Sequence, residues 1–260
     1  MHANVASEAV VSLLTSQLIH VAIDRGIKEA RLLLEDWLIN LVVSVVKGNE
    51  KALQAQNGRS VRPKRAGMYQ LKHVISTDGL LTSPGSLVFM TRFIFVMLKH
   101  SFLTTALLPP DQRVFQYCLM TALEPRYLCK SFYPTLSSFS DLRTPSTNVC
   151  HLSLASLRAS EHHIFVIDGY TEVLIYYLSS ANDSPLPPPQ SSEVRKLVKR
   201  IKQHSPLISP KVMYTRENER NGRLFLSRLL EDDQGLGLNF EQFSLEVAEE
   251  VLKLLNGLSQ

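Results

Sequence analysis

In the first third of the chain, apolar residues recur every three to four positions. Val10, Leu13, Leu14, Ile19 and Ala22 fall near the i, i+3, i+4 spacing of a helix, with Ser7 and Glu8 at its start. Gly26 separates this helix from a second, over residues 27–46, with Gly48 as its C-terminal stop. The second is apolar almost all round, which predicts burial between other elements. Residues 48–72 break the pattern. They are polar and basic, contain Gly58, Pro63 and Gly67, and are expected to form an exposed insert. Helical spacing returns at 87–102, entered through Ser83-Pro84-Gly85. Pro109-Pro110-Asp111 opens a further helix to about Ala122, and residues 124–132 make one more short helix closed by Pro134. The spacing therefore predicts helix alone before about residue 140.

After about Ser153 the period shortens. Residues 164–167 are a β-branched run, Asp168-Gly169 is a turn signal with Gly expected to take the positive φ, and 172–178 is a second β-prone run. Together they predict a hairpin. A proline-rich loop follows at 184–190. Residues 193–203 form an amphipathic helix with Val194, Leu197, Val198 and Ile201 on one face. Strands are expected at 211–215 and 223–230, and a final helix at 239–255 with Glu246, Glu249 and Glu250 on its polar face. The order implies an α+β chain: a helical domain over 1–145 with a basic insert at 48–72, then a sheet domain flanked by helices over 153–260.

Charge changes this picture in one place. The net charge is +4, too small to argue for a nucleic-acid partner. Between Lys47 and His73, however, seven cations face the single anion Glu50, so the rest of the chain nets −2. Arg59, Arg62, Lys64 and Arg65 are the densest part and are the candidate contacts for an anionic surface. The helix bearing Arg195, Lys196, Lys199, Arg200 and Lys202 is a second basic stretch. Cys118, Cys129 and Cys150 have no C-x-x-C spacing and an odd count, which predicts reduced thiols in a cytosolic setting. The N-terminus MHANVASEAV lacks a basic n-region followed by an apolar core, so no signal peptide is expected. The apolar runs 31–46 and 87–98 carry charges and fall short of a spanning length, and are expected to be buried helices.

Candidate chemistry is sparse. His162-His163 would point to opposite faces of a strand, and no third ligand stands at a suitable spacing. Asp168-Gly169 is explained by the turn. Glu231-Asp232-Asp233-Gln234-Gly235 has contiguous carboxylates rather than the alternating oxygens of a calcium loop, and reads as a solvated acidic loop. Gly235-Leu236-Gly237 alone makes no phosphate cradle, and no nucleotide or nucleophile-elbow motif occurs. No catalytic residue, metal site or cofactor is expected.

Several segments, in order, resemble one family. Ala6-Ser7-Glu8-Ala9-Val10-Val11-Ser12-Leu13-Leu14, then Asp24-Arg25 and Glu29-Ala30-Arg31, resemble the opening of the helical domain in the Sec23/Sec24 family, the inner-layer subunits of the COPII vesicle coat. Phe95-Val96-Met97-Leu98-Lys99-His100-Ser101, Asp111-Gln112-Arg113-Val114-Phe115 and Tyr133-Pro134-Thr135-Leu136 are similar to later signatures. His163 to Gly169 and Val173 to Tyr177 resemble the family's gelsolin-like hairpin, and Leu229 to Gly235 leans toward the cargo-binding member. The hairpin departs from the family's aromatic-Val-Gly ending by reading Tyr176-Tyr177-Leu178. No zinc ribbon, trunk or β-sandwich is recognised, so the chain is expected to be a fragment or a shortened relative.

The resemblance implies a non-catalytic coat component in endoplasmic reticulum to Golgi transport. It would be cytoplasmic and peripheral at the endoplasmic reticulum membrane and on COPII vesicles. Its partners would be the COPII sister subunit and cargo proteins, with an anionic membrane surface as a further contact and no nucleic acid. The alternatives are a gelsolin-like actin- or phosphoinositide-binding protein and a small hydrolase with dispersed residues.

Overall fold

The structure, a computed structural model, describes residues 5–57, 86–103, 108–149, 151–181, 183–205, 209–233 and 238–257. The chain divides into two compact units. A helical unit takes residues 3–121 and 238–260, and a sheet unit takes residues 122–237.

The helical unit contains α1 (Val5–Asp24), α2 (Ile27–Asn57), α3 (Ser86–Lys99), α4 (Pro110–Ala122) and the chain's last helix, α9 (Phe240–Gly257). Gly26 joins α1 to α2 at φ +98, a conformation glycine adopts without steric cost. α1 packs on α2, α2 on α3, and α9 on both α2 and α3. α1 turns Val11, Leu14, Leu18 and Ala22 inward, and α2 buries Ala30, Leu34, Leu38, Val42 and Val46 at every fourth position. The helix apolar all round is α3: Phe93, Ile94, Phe95, Val96 and Met97 are all buried. Phe95 meets the rings of Phe240 and Phe243 on α9 at centroid distances of 5.5 and 5.2 Å. The Arg92 guanidinium lies 5.0 Å over the Phe240 ring.

Two expectations are corrected here. α2 is one-sided rather than buried all round, since Leu32 and Leu33 are exposed. Gly48 does not stop α2, which continues to Asn57. A single interior glycine costs a helix only about 1 kcal/mol, less than several helix-forming neighbours restore.

The sheet unit contains α5 (Pro125–Phe132), β1 (Thr135–Phe139), β2 (Thr147–Val149), α6 (Leu154–Ala159), β3 (Ile164–Asp168), β4 (Glu172–Tyr177), α7 (Glu193–Gln203), β5 (Lys211–Arg216) and α8 (Gly222–Leu226). Its five strands are ordered β2-β1-β3-β4-β5. The pairings are antiparallel as far as β4, whereas β4 and β5 run parallel, joined through α7. One face carries Val166, Val173, Ile175 and Tyr177 against Val194, Val198 and Ile201 of α7. The other carries Phe165, Ile167, Leu174 and Tyr176 with Leu157 of α6, Phe225 of α8 and Leu229. Because both faces are covered, β3 and β4 read as continuous apolar runs rather than alternating ones. Burial pushes the Tyr176 and Tyr177 hydroxyls up to about 12.

The hairpin is present as expected, but its turn is not made by glycine. Tyr170 takes the left-handed conformation at φ 68, while Gly169 sits at an ordinary φ. Strands also occur before residue 160, at β1 and β2, and residues 222–226 are helix rather than strand. Gly222 is required there, since a Cβ would lie 2.8 Å from the Arg216 carbonyl oxygen. The two units differ from a single cut near residue 150. α5, β1 and β2 belong with the sheet, and the last helix belongs with the helical unit.

Candidate interaction surface

α7 is the most strongly amphipathic long helix of the sheet unit. Ser192 caps it, accepting from the Arg195 N–H at 3.2 Å while its own hydroxyl donates to the Pro189 carbonyl at 2.6 Å. With Val194, Val198 and Ile201 fixed in the core, 3.6-residue geometry sends Lys196, Lys199, Arg200 and Lys202 to solvent. Lys196 pairs with Glu193 at 2.7 Å. Lys199, Arg200 and Lys202 make no side-chain ion pair among the described residues. The outcome is an exposed cationic stripe on a rigidly seated helix.

Arg195, counted in the same basic stretch, faces the other way. Its Nε donates to the Pro188 carbonyl at 2.9 Å and its Nη1 to the Tyr214 hydroxyl at 2.6 Å. Arg216 repeats the arrangement from β5, donating to the Ser184 carbonyl at 2.7 Å and lying over the Tyr177 ring. These two arginines pin the proline-rich loop to the sheet.

The other candidates separate in the structure. His162 Nδ1 lies 2.6 Å from Ser138 Oγ, and His163 Nδ1 lies 2.9 Å from Ser180 Oγ, so the two imidazoles have different partners. Asp168 ends β3 and is bound by Lys130 of α5, a half-buried ion pair that neither residue's sequence context reveals. The acidic run at 231–233 is not the solvated loop expected. Glu231 is buried and accepts the Tyr133 hydroxyl, with His151 Nδ1 at 3.6 Å from its other oxygen, and Asp232 accepts the Leu154 N–H at 2.7 Å. Residues 234–237 lie outside the described residues. So do Arg59, Arg62, Lys64 and Arg65. Among the described residues no three His, Cys, Asp or Glu side chains group as metal ligands, and no helix is long and apolar enough to cross a membrane.

In the helical unit, Arg31 of α2 donates to the Leu98 carbonyl at 2.5 Å and to the Leu103 carbonyl at 3.3 Å. The first of these satisfies one of the open C-terminal carbonyls of α3, and the second holds the turn that follows the helix. Known proteins share this organisation. A family model described as the Sec23/Sec24 helical domain matches residues 7–130. Protein transport protein SEC23 D of Arabidopsis thaliana is 29% identical over 240 residues, covering 91% of this chain and 30% of the plant protein. The crystal structure of the human COPII-coat protein Sec24c aligns with a TM-score of 0.66 at 17% identity, covering 96% of this chain and 31% of that one.

The family model over residues 7–130, the plant relative and the human structural neighbour together support a Sec23/Sec24-family helical plus gelsolin-like region. The chain spans under a third of the length of these two relatives. Within the Sec23/Sec24-type helical region, the Glu29-Ala30-Arg31 signature has a physical basis: Ala30 is fully buried against the neighbouring helices and Arg31 caps α3. The sequence relative carries a SEC23 name and the structural one a Sec24 name, so the lean toward the cargo-binding member rests on residues 229–235 alone.

Proposed function

We propose that this chain is a non-catalytic component of the COPII vesicle coat, acting in protein transport from the endoplasmic reticulum to the Golgi through protein–protein recognition. The observation that carries this reading is collinearity: a helical region of the coat family and a five-stranded unit follow each other over 96% of the chain as they do in human Sec24c. Its partners are the sister inner-coat subunit and cargo proteins. It works on the cytoplasmic side, peripheral to the endoplasmic reticulum membrane. Arg59, Arg62, Lys64 and Arg65 add an anionic-surface contact whose strength falls with salt.

Flotation of the purified chain with liposomes, with and without the sister subunit, tests this. The expected result is recovery of the chain in the floating fraction with that subunit, reduced at low salt when Arg62, Lys64 and Arg65 are neutralised together. Failure to bind the sister subunit or to float in any condition overturns the coat reading. Undiminished flotation of the triple variant overturns the membrane contact alone.

A further inference from the structure

The exposed loop between β1 and β2 holds the dipeptide Thr144-Pro145. Five Ser-Pro or Thr-Pro dipeptides occur in the chain, at residues 83, 144, 184, 205 and 209. Among the described residues this is the one in which both members are exposed: Ser184 and Ser205 are half-buried, and Pro210, after Ser209, is buried. Proline disfavours helix in the residue before it and has no N–H to satisfy. A kinase that takes Ser or Thr before Pro therefore finds Thr144 solvent-facing and in a non-helical bend.

The local geometry gives such a modification a consequence. Asp141 closes the loop on itself, its carboxylate accepting the Arg143 N–H at 2.6 Å, the Thr144 N–H at 2.7 Å and the Thr144 hydroxyl at 2.9 Å. These bonds hold its carboxyl below the usual range. Between the two ends of this clasp sits Leu142. Its side chain packs against the core under α7, and its carbonyl accepts the N–H of Glu193, the first residue of α7, at 2.9 Å. The clasp thus sets the position of a plug on the first turn of the basic helix.

We propose that Thr144 is a phosphorylation site for a proline-directed kinase, and that the phosphate releases the β1–β2 loop from the start of α7. ATP supplies the group. The Oγ1–P bond forms, the bond from the γ-phosphorus to the β–γ bridging oxygen breaks, the hydroxyl proton passes to the kinase's base, and ADP leaves. The modified oxygen no longer donates to Asp141. A phosphate of about −1.5 to −2 charge then faces the Asp141 carboxylate across the former hydrogen bond and competes with it for Arg143. With the clasp open, Leu142 loses its fixed place and the Glu193 N–H loses its acceptor.

The full chain is incubated with a proline-directed Ser/Thr kinase and Mg-ATP, beside a synthetic peptide of residues 138–149 as a measure of the bare sequence. The expected result is phosphate on Thr144 by peptide mapping, at a rate within about tenfold of the peptide, because opening the clasp breaks only a few exposed hydrogen bonds. The Thr144→Ala chain loses that increment. A chain left unmodified at Thr144, whether or not the peptide is modified, overturns the site. Hydrogen exchange of the phosphorylated chain then reads the release. The Glu193 amide is expected to exchange on the order of tenfold faster than in the unmodified chain, and unchanged exchange there overturns the coupling to α7.

Discussion

The two units handle apolar surface in opposite ways. Every large apolar side chain exposed among the described residues belongs to the helical unit: Leu13, Ile23, Leu32, Leu33, Val114, Phe115, Leu245 and Leu254. The sheet unit leaves none. It places one layer of apolar residues on each sheet face, covers both with its own short helices, and fastens a loop with a charged group turned inward, Asp168 of the Lys130–Asp168 pair. Isolated exposed leucines are ordinary, but Leu32-Leu33 and Val114-Phe115 are adjacent pairs. The contrast is between a unit that completes its own packing and offers charge, and one that builds around a buried central helix and offers apolar side chains.

The largest test of this contrast removes packing from each core. Phe225 stacks on Tyr176 at 4.4 Å with the rings 7° from parallel, and is fully buried. Phe225→Ala is expected to cost about 3–5 kcal/mol in urea unfolding. In the helical unit Leu34→Ala is expected to cost about 2–5 kcal/mol, whereas Leu33→Ala beside it should stay within about 0.5 kcal/mol. Equal losses at Leu33 and Leu34 would mean that α2 buries both sides and would break the comparison.

A smaller effect probes the inward charges. Lys130→Ala leaves the buried Asp168 carboxylate without its cation, and should cost about 2 kcal/mol by thermal melting, less than for a wholly buried pair because Lys130 is 28% exposed. A neutral result would show that the sheet unit does not depend on this tie.

The smallest effect lies in the helical unit and depends on pH. Burial, with Asp36 and Glu246 near, raises the Glu35 carboxyl above its ordinary 4.5 despite the pull of Arg31. A raised acid holds its proton longer in the folded than in the unfolded chain, so stability present below pH 4.5 is lost as the pH climbs through the folded value. Glu35→Gln removes that loss. The variant should melt slightly above the parent at pH 7, and the gain should vanish on acidification below pH 4.5. A gain that persists in acid would assign the effect to packing instead.

The pattern of apolar residues was a good guide where it is strong, whether on one face as in α1 and α7 or all round as in α3 and the paired strands. α1, α3, α7 and the β3–β4 hairpin lie where the spacing of apolar residues puts them. It misled where tertiary contacts supply what local sequence lacks. β1 reads Thr-Leu-Ser-Ser-Phe, yet Ser137 and Ser138 are buried because the strand lies between β2 and β3. Residues 222–226 have the composition of a strand, but they form a helical turn whose first residue has the Arg216 carbonyl too close for a Cβ. The turn at 168–171 offered Gly169 for the positive φ, and Tyr170 took it with its ring packed 5.3 Å from Tyr127. On the surface, the outward cations of α7 were legible as one face of a helix. The inward commitment of Arg195 was not, since it depends on the path of a loop and on a strand 19 residues away.

The parallel pairing of β5 has a consequence for how the sheet unit meets other molecules. It puts a six-residue strand at one rim of the sheet and the three-residue β2 at the other. Both rims are poor templates for an incoming chain. β2 is too short to hold one, and β5 begins with Lys211 and ends with Arg216, whose N–H is already taken by the Glu219 carboxylate at 3.1 Å. Charged ends and short rims are how natural sheets discourage the addition of foreign strands. A protein using this unit for recognition is therefore poorly equipped for strand augmentation and is better suited to read side chains presented by helices and loops.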